Sequence, residues 1–219
     1  MDELPKVAIV VATFQRTEYL LRTICGLKEH LVYPRLVWYL GDGGSHADHY
    51  QQGLNAMDGL ELLGSHTHNL RPGANWNKAL RAALEHVDIV LWMEDDFELQ
   101  RPLFLAPYVK LLCDESSVGM VRLGHLPVNL RCETVGFDGR HYLDILPDRQ
   151  YRFSGNPHLK HRRFVDAYGW YNENTNPGDT ELDYDARCRM RPNPRIWWPV
   201  DLGGWGIFGH IGAVPSYGG

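Results

Sequence analysis

A chain of 219 residues can bury one sizeable core, and its 44% hydrophobic and 22% charged residues exclude a disordered or fibrous protein. The formal net charge of −5 argues against a surface that coats nucleic acid throughout, while leaving room for a local basic groove. Four scattered cysteines (Cys25, Cys113, Cys132 and Cys188) have neither the paired spacing of a zinc site nor the density of a disulfide scaffold.

The opening Met1-Asp-Glu-Leu-Pro-Lys6 carries no basic leader and no membrane-length apolar stretch, so the expectation is a cytoplasmic chain with reduced thiols and no membrane span. Val7 to Ala12 is a β-branched apolar run and predicts the first strand. A helix follows from Thr17 to His30, with Leu20, Ile24 and Leu27 at helical spacing. Leu36 to Leu40 predicts a second strand, ending in Gly41-Asp-Gly-Gly-Ser45, where glycines let the backbone turn sharply and approach a ligand. Leu60 to Gly64 predicts a short third strand. His66 and His68 beyond it read as ordinary loop histidines, with no third metal ligand nearby. Ala74 to His86 predicts a helix with Trp76, Ala79, Leu80, Ala83 and Leu84 on one face.

Ile89 to Met93 then predicts a buried central strand that runs into three consecutive acids, Glu94, Asp95 and Asp96. Strand alternation would point Glu94 and Asp96 one way and Asp95 the other. Two such carboxylates at the carboxyl end of a parallel strand suit Mg²⁺ or Mn²⁺ carrying a phosphorylated ligand. The bland alternative is an acidic strand end that solvates a loop. A helix from Pro102 to Cys113 and a strand from Val118 to Leu123 complete a β-α-β-β-α-β-α-β order, which predicts an α/β fold with a mostly parallel sheet and flanking helices.

Composition changes near residue 125. Residues 1–125 read as the ligand-binding half. Residues 126–219 read as a turn-rich, aromatic, locally basic half of the same domain, with too many large apolar residues to be disordered. Arg149, Arg152, Lys160, Arg162, Arg163, Arg187, Arg189, Arg191 and Arg195 supply its positive charge.

Several of these segments together resemble the family 2 glycosyltransferases, which have the GT-A fold, a Rossmann-like sheet. Val7-Ala-Ile-Val-Val-Ala-Thr-Phe-Gln-Arg16 is similar to the family's opening strand and nucleotide-contacting loop. Asp42-Gly-Gly-Ser45 resembles its Asp-X-Gly-Ser turn, and Asn69 to Asn77 its Asn/Gly-rich segment. Glu94-Asp-Asp96 takes the place of the Asp-X-Asp metal motif, with Glu in the first slot. Ser154-Gly-Asn-Pro-His-Leu-Lys-His-Arg-Arg-Phe164 and Gly169-Trp-Tyr-Asn-Glu173 resemble the acceptor-side segment. Thr180-Glu-Leu-Asp-Tyr-Asp-Ala-Arg187 resembles the Glu-Asp-X-Asp-X-X-X-Arg helix of the catalytic base, with Thr180 replacing the first acid, and His210-Ile-Gly212 resembles a late His-X-Gly.

The resemblance implies a metal-dependent, inverting transfer of a sugar from a nucleotide diphosphate sugar, a UDP-sugar by preference. Thr13, Arg16, Asp42, Arg71 and Asp95 would hold the nucleotide sugar, and Asp96, Glu94 and His210 would hold Mn²⁺ or Mg²⁺. Glu181 would be the base and Asp183 its partner, with Asp179 or Asp183 as base in a shifted register. Asn156, Arg163 and Trp205 would face the acceptor. For several of these a plain structural reading stands beside the functional one: a turn residue for Asp42, a surface arginine for Arg71, a solvated acid for Glu181 and a core histidine for His210. The acceptor is a saccharide, a peptide or a hydroxymethylated DNA base, the last suggested by the arginine-rich stretch. A nucleotide-sugar-binding module without catalysis is the other class, allowed by Thr180.

Overall fold

All seven residues of Val7–Thr13 are buried, as a strand covered on both faces requires, and this strand (β1) is the spine of the sheet. The computed structural model describes residues 4–127, 130–148, 150–203 and 206–212. After β1 come α1 (Thr17–His30), β2 (Leu31–Val32), β3 (Leu36–Asp42), α2 (Ala47–Ala56), β4 (Leu62–Thr67), α3 (Pro72–Leu84), β5 (Ile89–Glu94), β6 (Phe97–Leu99), β7 (Leu103–Phe104), α4 (Ala106–Asp114) and β8 (Val118–Arg122). The second half adds β9 (Cys132–Phe137), β10 (Arg140–Ile145), β11 (His158–His161), α5 (Arg162–Tyr168), α6 (Pro177–Met190), β12 (Arg195–Pro199) and β13 (Phe208–His210).

Nine strands form one sheet in the order β4-β3-β1-β5-β11-β8-β12-β10-β9. β4, β3, β1 and β5 run parallel, and β11 enters antiparallel to both β5 and β8. The register sets Thr13 opposite Asp42 and Ala12 opposite Glu94, so the ends of three parallel strands share one rim. Helix α3 packs across β1, β3, β4 and β5, while α4 and α5 cover β8. Among the described residues no helix is long and apolar enough to cross a membrane.

The structure departs from the sequence-based expectation at particular elements. Helix α2 was not expected. Parallel strands β3 and β4 cannot be joined by a tight turn, and α2 is the crossover they need. The strand expected at Leu60–Gly64 lies at Leu62–Thr67 and takes in His66, which is buried and bonded to the Tyr39 hydroxyl at 3.0 Å and Asn75 Oδ1 at 2.6 Å, not a loop histidine. Pro102 does not open a helix: Leu103 and Phe104 pair with β2, and Pro107 occupies the first turn of α4.

Behind the rim, Lys160 of β11 is fully buried. Its ammonium donates to the Tyr171 hydroxyl at 2.9 Å and faces the rings of Trp92, Phe153, Tyr171 and Tyr184 at 5.0–5.9 Å. Burial pulls this amine down to about 7, whereas an unfolded lysine titrates near about 10.4. Between those values the unfolded chain holds more protons at this site, so stability at Lys160 rises with pH. Lys160→Met should therefore melt at or above the wild-type temperature at pH 7, with the difference shrinking towards pH 9 in a calorimetric series.

Candidate active site

β5 ends at Glu94, and Asp95 and Asp96 form a turn before β6. The expected alternation of faces therefore stops at Glu94, and one guanidinium reaches both aspartates. Arg16 Nη2 donates to Asp95 Oδ1, and Arg16 Nη1 donates to Asp96 Oδ2 at 2.8 Å. Asp95 Oδ2 also accepts from the Thr13 hydroxyl at 2.6 Å and from the Phe14 N–H at 3.2 Å. Asp95 has no exposed surface, and burial pushes its carboxyl up to about 6 against the pull of Arg16. Thr13 is itself buried and bonded to His49 Nε2 at 2.9 Å. Thr13 and Asp95, expected to face the nucleotide, are internal pins of the rim.

Asp42 is likewise turned inward. It is fully buried, its Oδ2 accepts from Ser45 N–H at 2.9 Å and the Thr67 hydroxyl at 2.6 Å, and its Oδ1 accepts from the Ser45 hydroxyl at 2.5 Å. Its carboxylate shapes the 43–45 loop rather than facing out. Gln15, in the left-handed region at φ 59°, donates its N–H to Ser45 Oγ at 2.7 Å and ties this loop to β1. His49, on the unexpected helix α2, bonds Thr13 and Thr17 and lies 3.9 Å from Asp42 Oδ1, and burial lowers its basicity.

Asp96 meets the end of the chain. β13 pairs with β6, setting His210 opposite Phe97, and the Ile211 N–H donates to the Asp96 carbonyl at 2.8 Å. His210 Nε2 then lies 3.4 Å from Asp96 Oδ2. A Cβ on Gly212 would sit 2.5 Å from that oxygen, so only glycine lets the backbone pass here. Asp96 Oδ1 is buried with no hydrogen-bond partner. Among the described residues no group of three or more His, Cys, Asp or Glu forms a metal centre. One carboxylate with an open oxygen and one imidazole nonetheless fit a Mn²⁺ or Mg²⁺ ion whose other ligands are phosphate oxygens and water.

Helix α6 approaches from the other half. Asn176 caps it by accepting the Asp179 N–H at 2.9 Å. Glu181 Oε1 accepts the Gly155 N–H at 2.7 Å, and one turn later Asp185 accepts the N–H groups of Phe153 at 2.9 Å and Tyr151 at 3.0 Å. A Cβ at Gly155 would lie 2.9 Å from Glu94 Oε1 and 3.8 Å from Glu181 Oε1, so these two carboxylates converge on one glycine. Desolvation, then Asp96 and Glu181, raise the Glu94 carboxyl well above its ordinary value. Of the three expected metal ligands, Asp96 and His210 meet directly, while Glu94 also faces Glu181. Asp183 instead pairs with Arg187 at 2.8 Å on the helix surface, and Thr180 is buried against Thr175.

The remaining residues separate. Asn156, beside Gly155, lines a cavity of about 630 Å³ with Phe97, Gln100, His125, Phe208 and His210. Arg71 stands just before α3, donating to the Asn174 carbonyl at 2.8 Å. Arg163 is corrected. β11 runs against β5 and carries the chain to the opposite rim, where the Arg163 guanidinium holds the carbonyls of Leu112 and Val118. Trp205 and Arg149 lie outside the described residues. The other basic residues of the arginine-rich stretch are spent internally. Arg152 is fully buried and clamps the carbonyls of Ile145, Cys188, Arg191 and Pro192, and Lys160 bonds Tyr171. Arg162, Arg187, Arg189 and Arg195 pair with Asp88, Asp183, Asp185 and Asp144, and Arg191 bonds the Ala167 carbonyl. Among the described residues, the arginine-rich stretch is thus tied to the protein's own acids and carbonyls.

The model of the family described as glycosyl transferase family 2 matches residues 8–172. No curated protein matches the sequence significantly. Among solved structures, the 1–349 portion of S. aureus TarS in complex with UDP-GlcNAc aligns at TM-score 0.67 and 16% identity, over 96% of this chain and 61% of that one. The mannosyltransferase PcManGT from Pyrobaculum calidifontis, in complex with GDP-Man and Mn²⁺, aligns at 0.60 and 17%, over 93% and 59%. GalNAc-T7 with UDP, GalNAc and Mn²⁺ aligns at 0.66 and 12%, over 99% and 46%. The sheet and its helices have the GT-A fold of these proteins, and the chain spans less than two thirds of each.

Arg16 is the cation that the rim depends on in this state. Arg16→Met should cost about 3 kcal/mol in urea denaturation by leaving Asp95 buried without a counter-charge. Arg16→Lys should cost less but still be measurable, because a point charge cannot fork across two carboxylates.

Proposed function

The chain belongs to glycosyl transferase family 2, and from that premise we propose that it moves a sugar from a nucleotide diphosphate sugar, a UDP-sugar by preference, to an acceptor hydroxyl with inversion. The observation that carries this reading is Glu181. An acid from the second half of the chain is held by the Gly155 N–H beside Glu94, at the rim where the parallel strands end. Sugar transfer needs a base for the acceptor proton, and Glu181 is the acid of α6 that faces the other carboxylates. The Gly155 N–H occupies Glu181 Oε1 and fixes the carboxylate's orientation; Oε2 takes the acceptor proton.

Asp96 and His210 are the residues that would hold a divalent ion, Mn²⁺ or Mg²⁺, which supplies positive charge to a diphosphate leaving group. Arg71, tethered through one nitrogen to Asn174, keeps further donors for the diphosphate. Asn156 and the cavity it lines would take the acceptor. The neighbours' printed ligands (UDP-GlcNAc, UDP with GalNAc, and GDP-Man) support a nucleotide-sugar donor and leave the sugar open.

The test is nucleoside diphosphate release from a panel of nucleotide sugars, with and without Mn²⁺. Asp96→Ala should abolish the Mn²⁺-dependent release. Glu181→Gln should lower acceptor-dependent turnover by about a hundred- to ten-thousandfold while donor binding, read by calorimetry, holds. Normal turnover in Glu181→Gln together with a dead Asp183→Asn would move the base to Asp183.

A further inference from the structure

Tyr151 has no task in the chemistry above, yet its backbone is held more firmly than a surface turn requires. Its φ is 66°, in the left-handed region that a bulky L side chain enters only against strain. Both of its backbone polar groups are gripped by charged side chains that are out of solvent. Asp185 accepts its N–H at 3.0 Å, and Arg122 donates to its carbonyl at 2.7 Å. Asp185 is 0% exposed and Arg122 is 1% exposed, while the tyrosine they hold is 46% exposed. Glycine or asparagine would meet this conformation with less strain.

The grip also fixes where Tyr151 stands. Arg122 donates at 3.1 Å to the carbonyl of His125, which lines the cavity shared with Asn156 and His210. Asp185 is one helical turn from Glu181 on α6. Tyr151 thus shares an arginine with a residue of the cavity and a helix with Glu181, and its side chain is accessible.

We propose that Tyr151 is an acceptor-binding residue, whose ring stacks on the C–H face of a pyranose that presents a hydroxyl to Glu181. This rests on the transferase reading above and narrows its acceptor to a saccharide. A flat, rigid ring with a polar tip suits a sugar face and gives little purchase on the hydroxymethyl of a serine. Asp185 and Arg122 are positioning residues for it.

The experiment uses an array of pyranose-terminated oligosaccharides probed with labelled wild type, Tyr151→Phe and Tyr151→Gly. Wild type and Tyr151→Phe should bind the same glycans. Tyr151→Gly should lose about tenfold in apparent affinity and raise acceptor KM to match. Its melting temperature should not fall, because glycine accepts the backbone conformation freely. Glycan binding by Tyr151→Gly equal to wild type, equal losses in the Phe and Gly variants, or no glycan bound by wild type would each overturn the proposal. Donor hydrolysis by the wild type, read on the same preparation, separates the two levels. Where hydrolysis is present, such a failure falls on Tyr151 alone. Tyr151-dependent glycan binding without any hydrolysis overturns the transferase reading and keeps the sugar site.

Discussion

Glu94, Asp95 and Asp96 follow one another at the end of a buried strand, and three carboxylates so close cannot keep their charge unless the protein meets it from several sides. The structure divides the problem. Asp95 is turned inward and given a hydroxyl, a backbone N–H and half of a guanidinium. Asp96 takes the other half of Arg16 on Oδ2, the oxygen that also faces His210, and keeps Oδ1 buried without a partner. Glu94 is left beside Glu181, where burial and the neighbouring acids raise its carboxyl and favour the protonated form. The acid left least satisfied by the protein's own donors at this rim is Asp96, through its Oδ1.

Helix α6 meets the same demand from the other half of the chain. Two acids one turn apart, Glu181 and Asp185, accept the alternate amides of Gly155, Phe153 and Tyr151. The helix thereby fixes the turn that leads from Tyr151 to Gly155. Asp185 is wholly buried and belongs to the scaffold, whereas Glu181 is half-buried and borders the rim. The same loop, extended by Asn156, leads into β11, so the sheet and the Gly155 amide that holds Glu181 belong to one continuous run of backbone.

How much of this was legible in the sequence depends on what kind of fact is asked for. β1, β3, β5 and β8 announce themselves as apolar runs, and α1 by its spacing, because burial on two faces or on one stripe leaves a pattern. Helix α2 left a fainter one: its fully buried residues are His49 and Gly53, and Tyr50 and Leu54 pack on the core at partial burial, so the topological need for a crossover was the stronger signal. The β9–β10 hairpin was signalled by Asp138-Gly139, both at positive φ, but not read. The site motifs placed Asp95 and Asp42 at strand ends, where the structure also has them. Sequence does not say whether a carboxylate's oxygens face a ligand or are consumed by the protein's own N–H and hydroxyl groups.

Strand direction decides the rest. β11 lies between β5 and β8 and opposes both, so every residue added along it moves away from the rim. Gly155 and Asn156, before it, border the site, while Arg163, after it, ends at the far edge holding carbonyls of α4 and β8. The same logic explains where a run of arginines is spent. An open mixed sheet whose second half is rich in turns leaves helix ends and strand ends with unpaired carbonyls, and long guanidinium side chains are suited to reach them. Arg152, with four carbonyls, and Arg122, with those of Tyr151 and His125, carry charge inward to hold backbone together. Among the described residues, much of the positive charge in this half is used as architecture.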